Sequence, residues 1–184
     1  MNILDHIRGS LQFLVPEALL LLALLIVLFL DMFSSTRKNT SFAATAIASL
    51  VLTGIYLINQ LFDRSSIPNV EFMNHMLLQN PTILFSKILL VLSGLLALVF
   101  IQLSPSSQWL RERGETYILF LAILLGCFFL VAALNLFVVF ISLELISVPS
   151  YILVASRLDK KSTEAGIKYL LYGAFATGVM LFGI

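Results

Sequence analysis

The sequence predicts an all-α fold, a polytopic transmembrane helix bundle of about six membrane-spanning helices with the N-terminus outside. The first observation is composition, because 60% of the 184 residues are hydrophobic and only 11% are charged. A soluble domain carries roughly 25% charged residues. The second is spacing, since apolar segments of about 20 residues recur along the chain. That is the length of helix that crosses a hydrocarbon core of about 30 Å.

The limits of the spans follow from the breaks between apolar segments. Region 116–156 is apolar for about twice a membrane thickness, and Glu144 is its only charged residue. It must therefore hold two spans, and its best polar break lies at residues 133–135. The last segment is still apolar at Ile184, so we expect the first part of a longer protein. We predict a single transmembrane domain, residues 1–184, with helices at about 11–33, 41–62, 82–103, 116–133, 135–156 and 162–184.

Basic residues set the predicted orientation. The connections after the first, third and fifth spans carry Arg37, Lys38, Arg111, Arg113, Arg157, Lys160 and Lys161. The opposite side carries only Arg8 and Arg64. Since the basic side of a membrane protein faces the cytoplasm, we expect the first set of loops inside and the 63–81 connection outside, as a loop that can hold one interfacial turn.

Composition and motifs argue against several classes of function. The net charge of +1 gives no basic patch for nucleic acid. Cys127 is the lone cysteine, so a disulfide framework is excluded. No phosphate-binding loop, dinucleotide fingerprint or cysteine cluster occurs, so we expect no cofactor bound by this chain. His6 and His75 fall on the predicted outer side, where a metal or proton role stands beside the ordinary interpretation as solvated loop histidines.

Glu144 is the main candidate for chemistry. It sits near the middle of the fifth predicted span, where burying a carboxylate costs several kcal/mol unless it is protonated, paired or hydrated. Ser147 and Tyr151 follow three and seven residues later, so they share its helix face. Ionisable residues at this depth commonly serve proton or ion pathways, while the alternative is a carboxylic acid that joins helices by a hydrogen bond.

The other ionisable residues in or near the spans have simpler explanations beside a functional one. Lys168 lies about two turns into the sixth span, where it can reach the interface or pair with Glu164 one turn earlier. Lys87 lies close to the start of the third span, so snorkelling to the outer interface explains it. Glu17 lies near one end of the first span, where we expect interfacial water to reach it.

Two consecutive segments carry a family resemblance. Residues 143–153 read LELISVPSYIL and residues 162–175 read STEAGIKYLLYGAF. Together they resemble the subunit N family of NADH–quinone oxidoreductase (respiratory complex I), known as subunit 2 in mitochondria and chloroplasts. The Val15-Pro16-Glu17 opening before a leucine-rich helix fits the same family. The helix layout resembles this family along the whole chain.

The resemblance implies more than spacing does. It implies an antiporter-like subunit built from inverted repeats of five helices with broken helices at mid-membrane. Glu144 matches the family's functional glutamate and Lys168 its lysine on helix six, both in a row of buried charges that carries protons. The chain itself would perform no redox chemistry. NADH, FMN, iron–sulfur clusters and quinone are implied elsewhere in the complex.

The resemblance also implies surroundings. The expected partners are other membrane-arm subunits and the lipid bilayer, with no nucleic acid, in what we expect to be a bacterial inner (plasma) membrane. Three alternatives stay open: a subunit of a multi-component cation/proton antiporter, the equivalent subunit of a ferredoxin- or cofactor-linked dehydrogenase, and a non-catalytic structural subunit of the membrane arm.

Overall fold

Six long helices make up most of the chain. The computed structural model describes residues 13–33, 40–62, 70–73, 75–104, 108–111 and 113–184. In this part of the chain, six helices are long and apolar enough to cross a membrane, which confirms the predicted fold class. They are α1 (Val15–Phe33), α2 (Thr40–Phe62), α3 (Pro81–Leu103), α4 (Gly114–Ala132), α5 (Leu136–Ala155) and α6 (Lys160–Gly183). A single turn, Gln108–Arg111, lies between α3 and α4.

Polar caps decide where three of these helices begin. Asn80 caps α3 by accepting a hydrogen bond from the Ile83 N–H at 2.7 Å, and Pro81 follows directly. Asn135 caps α5 by accepting one from the Val138 N–H at 2.8 Å. Asp159 and Ser162 form a capping box at the start of α6. The Ser162 backbone N–H lowers the pKa of the Asp159 carboxyl, since it bonds to the charged form.

The four helices α1 to α4 share one apolar core, and α4 contacts all of the other three. Each helix contributes fully buried side chains, among them Leu20, Leu50, Leu84 and Leu121. The helix α5 packs on α4, and α6 packs on α5. This order puts α5 and α6 on one side of the four-helix core.

The outward faces of the bundle are apolar. Leu22, Leu52, Leu92 and Phe100 are all more than half exposed. The exposure is greatest on α6, where Gly166 is the only buried residue and Phe182 is 96% exposed. In water such a surface would drive association, whereas in a bilayer it contacts acyl chains or other membrane-embedded protein. The chain is therefore an integral membrane protein.

A β-hairpin covers one end of the bundle. Its strands β1 (Val70–Phe72) and β2 (Leu77–Gln79) pair antiparallel. The Leu134 N–H donates to the Met76 carbonyl at 2.9 Å, which ties the hairpin to the connection between α4 and α5. Phe72 and Leu77 are buried in a second small apolar cluster. The sequence predicted an external loop with one interfacial turn here, and residues 63–69 of that connection, like His6, lie outside the described residues.

The predicted orientation can be tested at two exposed residues, one near each end of the bundle. We expect a membrane-impermeant maleimide applied to intact cells to label His75→Cys, in the hairpin, but not Lys161→Cys, in the first turn of α6. Both variants are made in a Cys127→Ala background. The Cys127→Ala protein without an introduced cysteine is the control. Labelling of position 161 but not of position 75 would contradict the predicted orientation and indicate the opposite one.

Candidate functional site

Glu144 lies on the side of α5 that faces away from α4. The helix contacts α4 through Ser142 and Ile146. The approach is close, since a Cβ added to Gly126 of α4 would lie only 2.8 Å from Ile146 Cγ1. Ser142 is 1% exposed. At about 100° per residue, Glu144 is roughly 200° around the helix from Ser142. It therefore shares the side of α5 that carries Tyr151 and Ala155.

That side of α5 is the one that meets α6. The rings of Tyr151 and Tyr169 form a T-shaped pair with centroids 4.6 Å apart. The Tyr151 hydroxyl lies against Gly173, whose missing side chain leaves room for it. A Cβ on Gly166 would lie 2.6 Å from the Ala155 Cβ, so these two backbones also approach closely. Tyr151, one of the predicted polar neighbours of Glu144, is thus buried in the α5–α6 interface.

Glu144 itself has no direct partner among the residues that the structure describes. Its side chain is half-buried. It forms no hydrogen bond or ion pair with any residue in the described ranges. It is the ninth residue of the 20 in α5, so it lies near the middle of the span. An ionisable residue at this depth is a candidate for a proton or ion pathway.

Lys168 is not brought together with Glu144. Its Nζ donates to Glu164 Oε1 at 2.5 Å, and both side chains are more than half exposed. This is one of the two arrangements that the sequence left open. Lys168 is about 200° around α6 from Gly166, so it faces away from α5.

The two residues also differ in depth. Lys168 lies between Gly166 and Gly173, which contact Ala155 and Tyr151. Lys168 is therefore level with the last turn of α5, which is 7 to 11 residues from Glu144 along that helix. At about 1.5 Å per residue this is a separation of roughly 10–17 Å along the membrane normal. A direct ion pair between the two is excluded in this arrangement.

The structure reveals a buried ion pair that the sequence did not predict. Lys87 Nζ on α3 lies 2.6 Å from Glu17 Oε1 on α1, and the side chains are 0% and 5% exposed. The snorkelling interpretation of Lys87 is therefore wrong, and so is the expectation that interfacial water reaches Glu17. The cause is the hairpin, which covers this end of the bundle, together with the packing of both α1 and α3 on α4. The sequence did hold a signal for this pair, because Glu17 and Lys87 carry opposite charges and lie at similar depth in helices that start on the same side of the membrane.

The part of the chain that the structure describes holds no group of three or more histidine, cysteine, aspartate and glutamate side chains arranged to bind a metal. His75 bonds to Glu71 on the exposed hairpin. The His75 side chain is exposed.

Comparison with known proteins addresses the segment that carries Glu144 and Lys168. Residues 133–184, which contain α5 and α6, match the family described as NADH:quinone oxidoreductase/Mrp antiporter, transmembrane. The NADH-quinone oxidoreductase subunit N 2 of Chloroherpeton thalassium is 35% identical over 173 residues, 92% of this chain and 33% of that protein. Over nearly its whole length, the chain is similar to part of subunit N of NADH-quinone oxidoreductase.

Two further members of the subunit N family agree. The protein from Anaeromyxobacter sp. is 34% identical over 184 residues, and the one from Chlorobium chlorochromatii is 31% identical over 186 residues. These alignments cover 98% and 99% of this chain and 34% and 35% of the relatives. The chain thus spans about a third of the length of the curated relatives it matches.

Proposed function

We propose that this chain contributes to proton translocation as a membrane-arm subunit of an NADH–quinone oxidoreductase, a translocase in which electron transfer from NADH to quinone takes place in other subunits. The observation that carries the proposal is Glu144, a carboxyl near the middle of a span with no partner among the described residues, within the segment that matches the antiporter family. Proton uptake into vesicles containing the assembled complex, driven by NADH and quinone, tests it when Glu144 is replaced by Gln.

The chemistry proposed for Glu144 is reversible protonation. A charged carboxylate without a partner is costly in a low-dielectric region unless a polar group or water contacts it. A polar neighbour or a water that becomes available lowers this cost and lets the proton leave. Ser147, one turn along α5, supplies a hydroxyl at the same side of the helix. Glu144 would therefore respond to changes in hydration or in a nearby charge, as a proton carrier must.

We propose that Lys168 belongs to the same proton pathway but communicates with Glu144 through water and further groups. The opposite-facing positions and the difference in depth support an indirect link. The exposed face of α6 that carries Lys168 would contact other protein in the assembled complex, where Lys168 could exchange Glu164 for another partner. A change in the charge of Lys168 would then alter the pKa of the next group by Coulomb interaction at low dielectric.

The proposed setting follows from the relatives. They are subunits of a multi-subunit oxidoreductase, so other membrane-arm subunits are the proposed partners, with lipid around the apolar outer faces. NADH, FMN, iron–sulfur clusters and quinone would bind elsewhere in the complex. Because the relatives are bacterial, we propose the bacterial inner membrane as the location.

A multi-component cation/proton antiporter is the second candidate, because the matching family description names the Mrp antiporter beside the oxidoreductase. The relatives described above, all subunit N, favour the oxidoreductase. The two candidates differ in what drives proton movement. Flux that requires NADH and quinone supports the oxidoreductase, whereas flux driven by a sodium gradient alone supports the antiporter.

A pair of substitutions tests the role of Lys168. We expect Lys168→Ala to reduce NADH-driven proton uptake more than Lys168→Arg, because Arg keeps the cation. Lys168→Arg should still be impaired, since Arg releases its proton far less readily than Lys. Lys161→Ala, which removes an exposed cation from the first turn of the same helix, is the matched control. Equal, unimpaired uptake in all three variants would remove Lys168 from the pathway.

A further inference from the structure

A second group of ionisable and polar side chains is buried on the other side of α4 from Glu144. We define the Glu17 cluster as Glu17 of α1, Lys87 of α3 and Gln79 of β2. Lys87 Nζ lies 2.6 Å from Glu17 Oε1 and 3.5 Å from Gln79 Oε1. All three residues are less than 5% exposed. Neither sequence position nor family resemblance assigned a role to this cluster.

Side chains of α2, α4 and the hairpin surround the Glu17 cluster. Lys87 Nζ lies 5.8 Å from the centroid of the Phe128 ring of α4, a further favourable contact for the cation. Tyr56 of α2 lies within electrostatic range of Glu17. Phe72 and Leu77 of the hairpin are buried above this end of the bundle. The helix α4 separates the cluster from α5, so the cluster is distinct from the Glu144 site.

Stability alone gives a poor explanation for this ion pair. Taking both charges out of water costs several kcal/mol per ion, and well-packed apolar side chains of similar volume often stabilise a protein as well or better. Ionisable residues buried within membrane-spanning helices are commonly functional. The pair thus calls for a role that an apolar pair could not fill.

Two atoms of the cluster identify a binding site for a small polar molecule. Glu17 Oε2 is a buried acceptor, and Gln79 Nε2 is a buried donor, and neither has a hydrogen-bond partner among the described residues. Buried polar atoms are nearly always satisfied by protein or by water. A molecule that donates to the carboxylate and accepts from the amide satisfies both, and water has both capacities.

We propose that Glu17 is a second proton-carrying carboxyl, which exchanges its proton with a water bound between Glu17 Oε2 and Gln79 Nε2. A hydronium formed at that water gives its proton to Glu17 Oε2, leaving neutral water and a neutral carboxylic acid. The reverse step returns the proton. Lys87 is the positioning residue, since it holds Glu17 Oε1 and leaves Oε2 free for the exchange. This inference rests on the proposed function, because it supplies a further group to the same proton movement.

The first test replaces the ion pair with a neutral pair in the assembled complex. We expect Glu17→Gln/Lys87→Met to assemble, because no unpaired charge is left buried. NADH-driven proton uptake should be largely lost, while electron input measured with an artificial acceptor is unchanged. Thr53→Val, which removes another buried polar group, is the control. Uptake at the wild-type rate in an assembled double variant, with Glu144→Gln inactive, would overturn the role of Glu17 and leave the proposed function standing.

A second variant decides the matter if the double variant does not assemble. Glu17→Asp keeps a carboxyl and its charge but moves the oxygens by one methylene. A proton-carrying role predicts a shifted pH profile of proton uptake, because the carboxyl is held differently by Lys87 and the water. A pH profile identical to that of the wild type would show that the pair is structural. If the pH profile is unchanged in Glu17→Asp and uptake is normal in Glu144→Gln, the proposed function itself fails.

Discussion

Replacing Glu144 with Gln is expected to lower NADH-driven proton uptake by roughly a hundredfold to ten-thousandfold, the range in which a positioned proton-transfer group commonly contributes. The amide has nearly the same shape as the protonated carboxyl and keeps its hydrogen-bonding capacity, but it cannot release a proton near neutral pH. Assembly should be unaffected, since Glu144 forms no hydrogen bond or ion pair with the residues that the structure describes. The measurement is the initial rate of proton uptake into vesicles with the purified complex.

The control for this substitution is Glu115→Gln. Glu115 is an exposed carboxylate in the first turn of α4, so the same chemical change is made outside the membrane interior. We expect proton uptake by Glu115→Gln to equal that of the wild type. If Glu144→Gln assembles fully and also pumps at the wild-type rate, Glu144 is a structural hydrogen-bonding group at most.

Gly166→Ala is expected to destabilise the chain by about 1–3 kcal/mol, the usual cost of forcing extra volume into a packed contact. The new methyl group would lie 2.6 Å from the Ala155 Cβ and 3.2 Å from its Cα. The Cα belongs to the backbone, so the conflict is relieved only if α5 and α6 separate. Because Tyr151 and Gly173 share this interface, the separation would also disturb the side of α5 that carries Glu144.

The same helix offers a matched control in Gly178→Ala, where a Cβ would have no atom within 4 Å. Helix propensity favours Ala over Gly by up to about 1 kcal/mol, so this variant should be neutral or slightly stabilised. Denaturation of both variants in detergent micelles measures the difference. Equal stabilities for Gly166→Ala and Gly178→Ala would show that the α5–α6 contact is not as close as described.

The helices were predictable from the sequence because the bilayer imposes a simple requirement on length and polarity. The ends of the helices were less predictable, because capping side chains decide where a helix begins. The region predicted to start at residue 162 starts at Lys160, since Asp159 forms the capping box. The hairpin was missed because strands of three residues, Val70–Phe72 and Leu77–Gln79, leave no periodic pattern long enough to detect.

Side-chain partners across the bundle were the least predictable feature. A sequence gives the depth of a residue in its span, and it placed Lys87 and Glu17 near the same end. It does not give the rotation of each helix, which decides whether a charge meets lipid or another helix. The Glu17–Lys87 pair joins residues that are 70 positions apart, and only the packing of α1 and α3 on the same helix, α4, brings them together. The i,i+4 pair of Glu164 and Lys168 could be predicted because both residues lie on one helix.

The most direct test of the proton-carrying role of Glu144 is difference infrared spectroscopy of the assembled complex before and after addition of NADH. Protonation of a carboxylate creates a carbonyl stretching band that lies apart from the amide bands of the backbone. We expect a difference band from a carboxyl whose protonation changes during turnover, present in the wild type and in Glu115→Gln and lost in Glu144→Gln. An identical carboxyl difference spectrum in Glu144→Gln would show that the proton does not pass through Glu144.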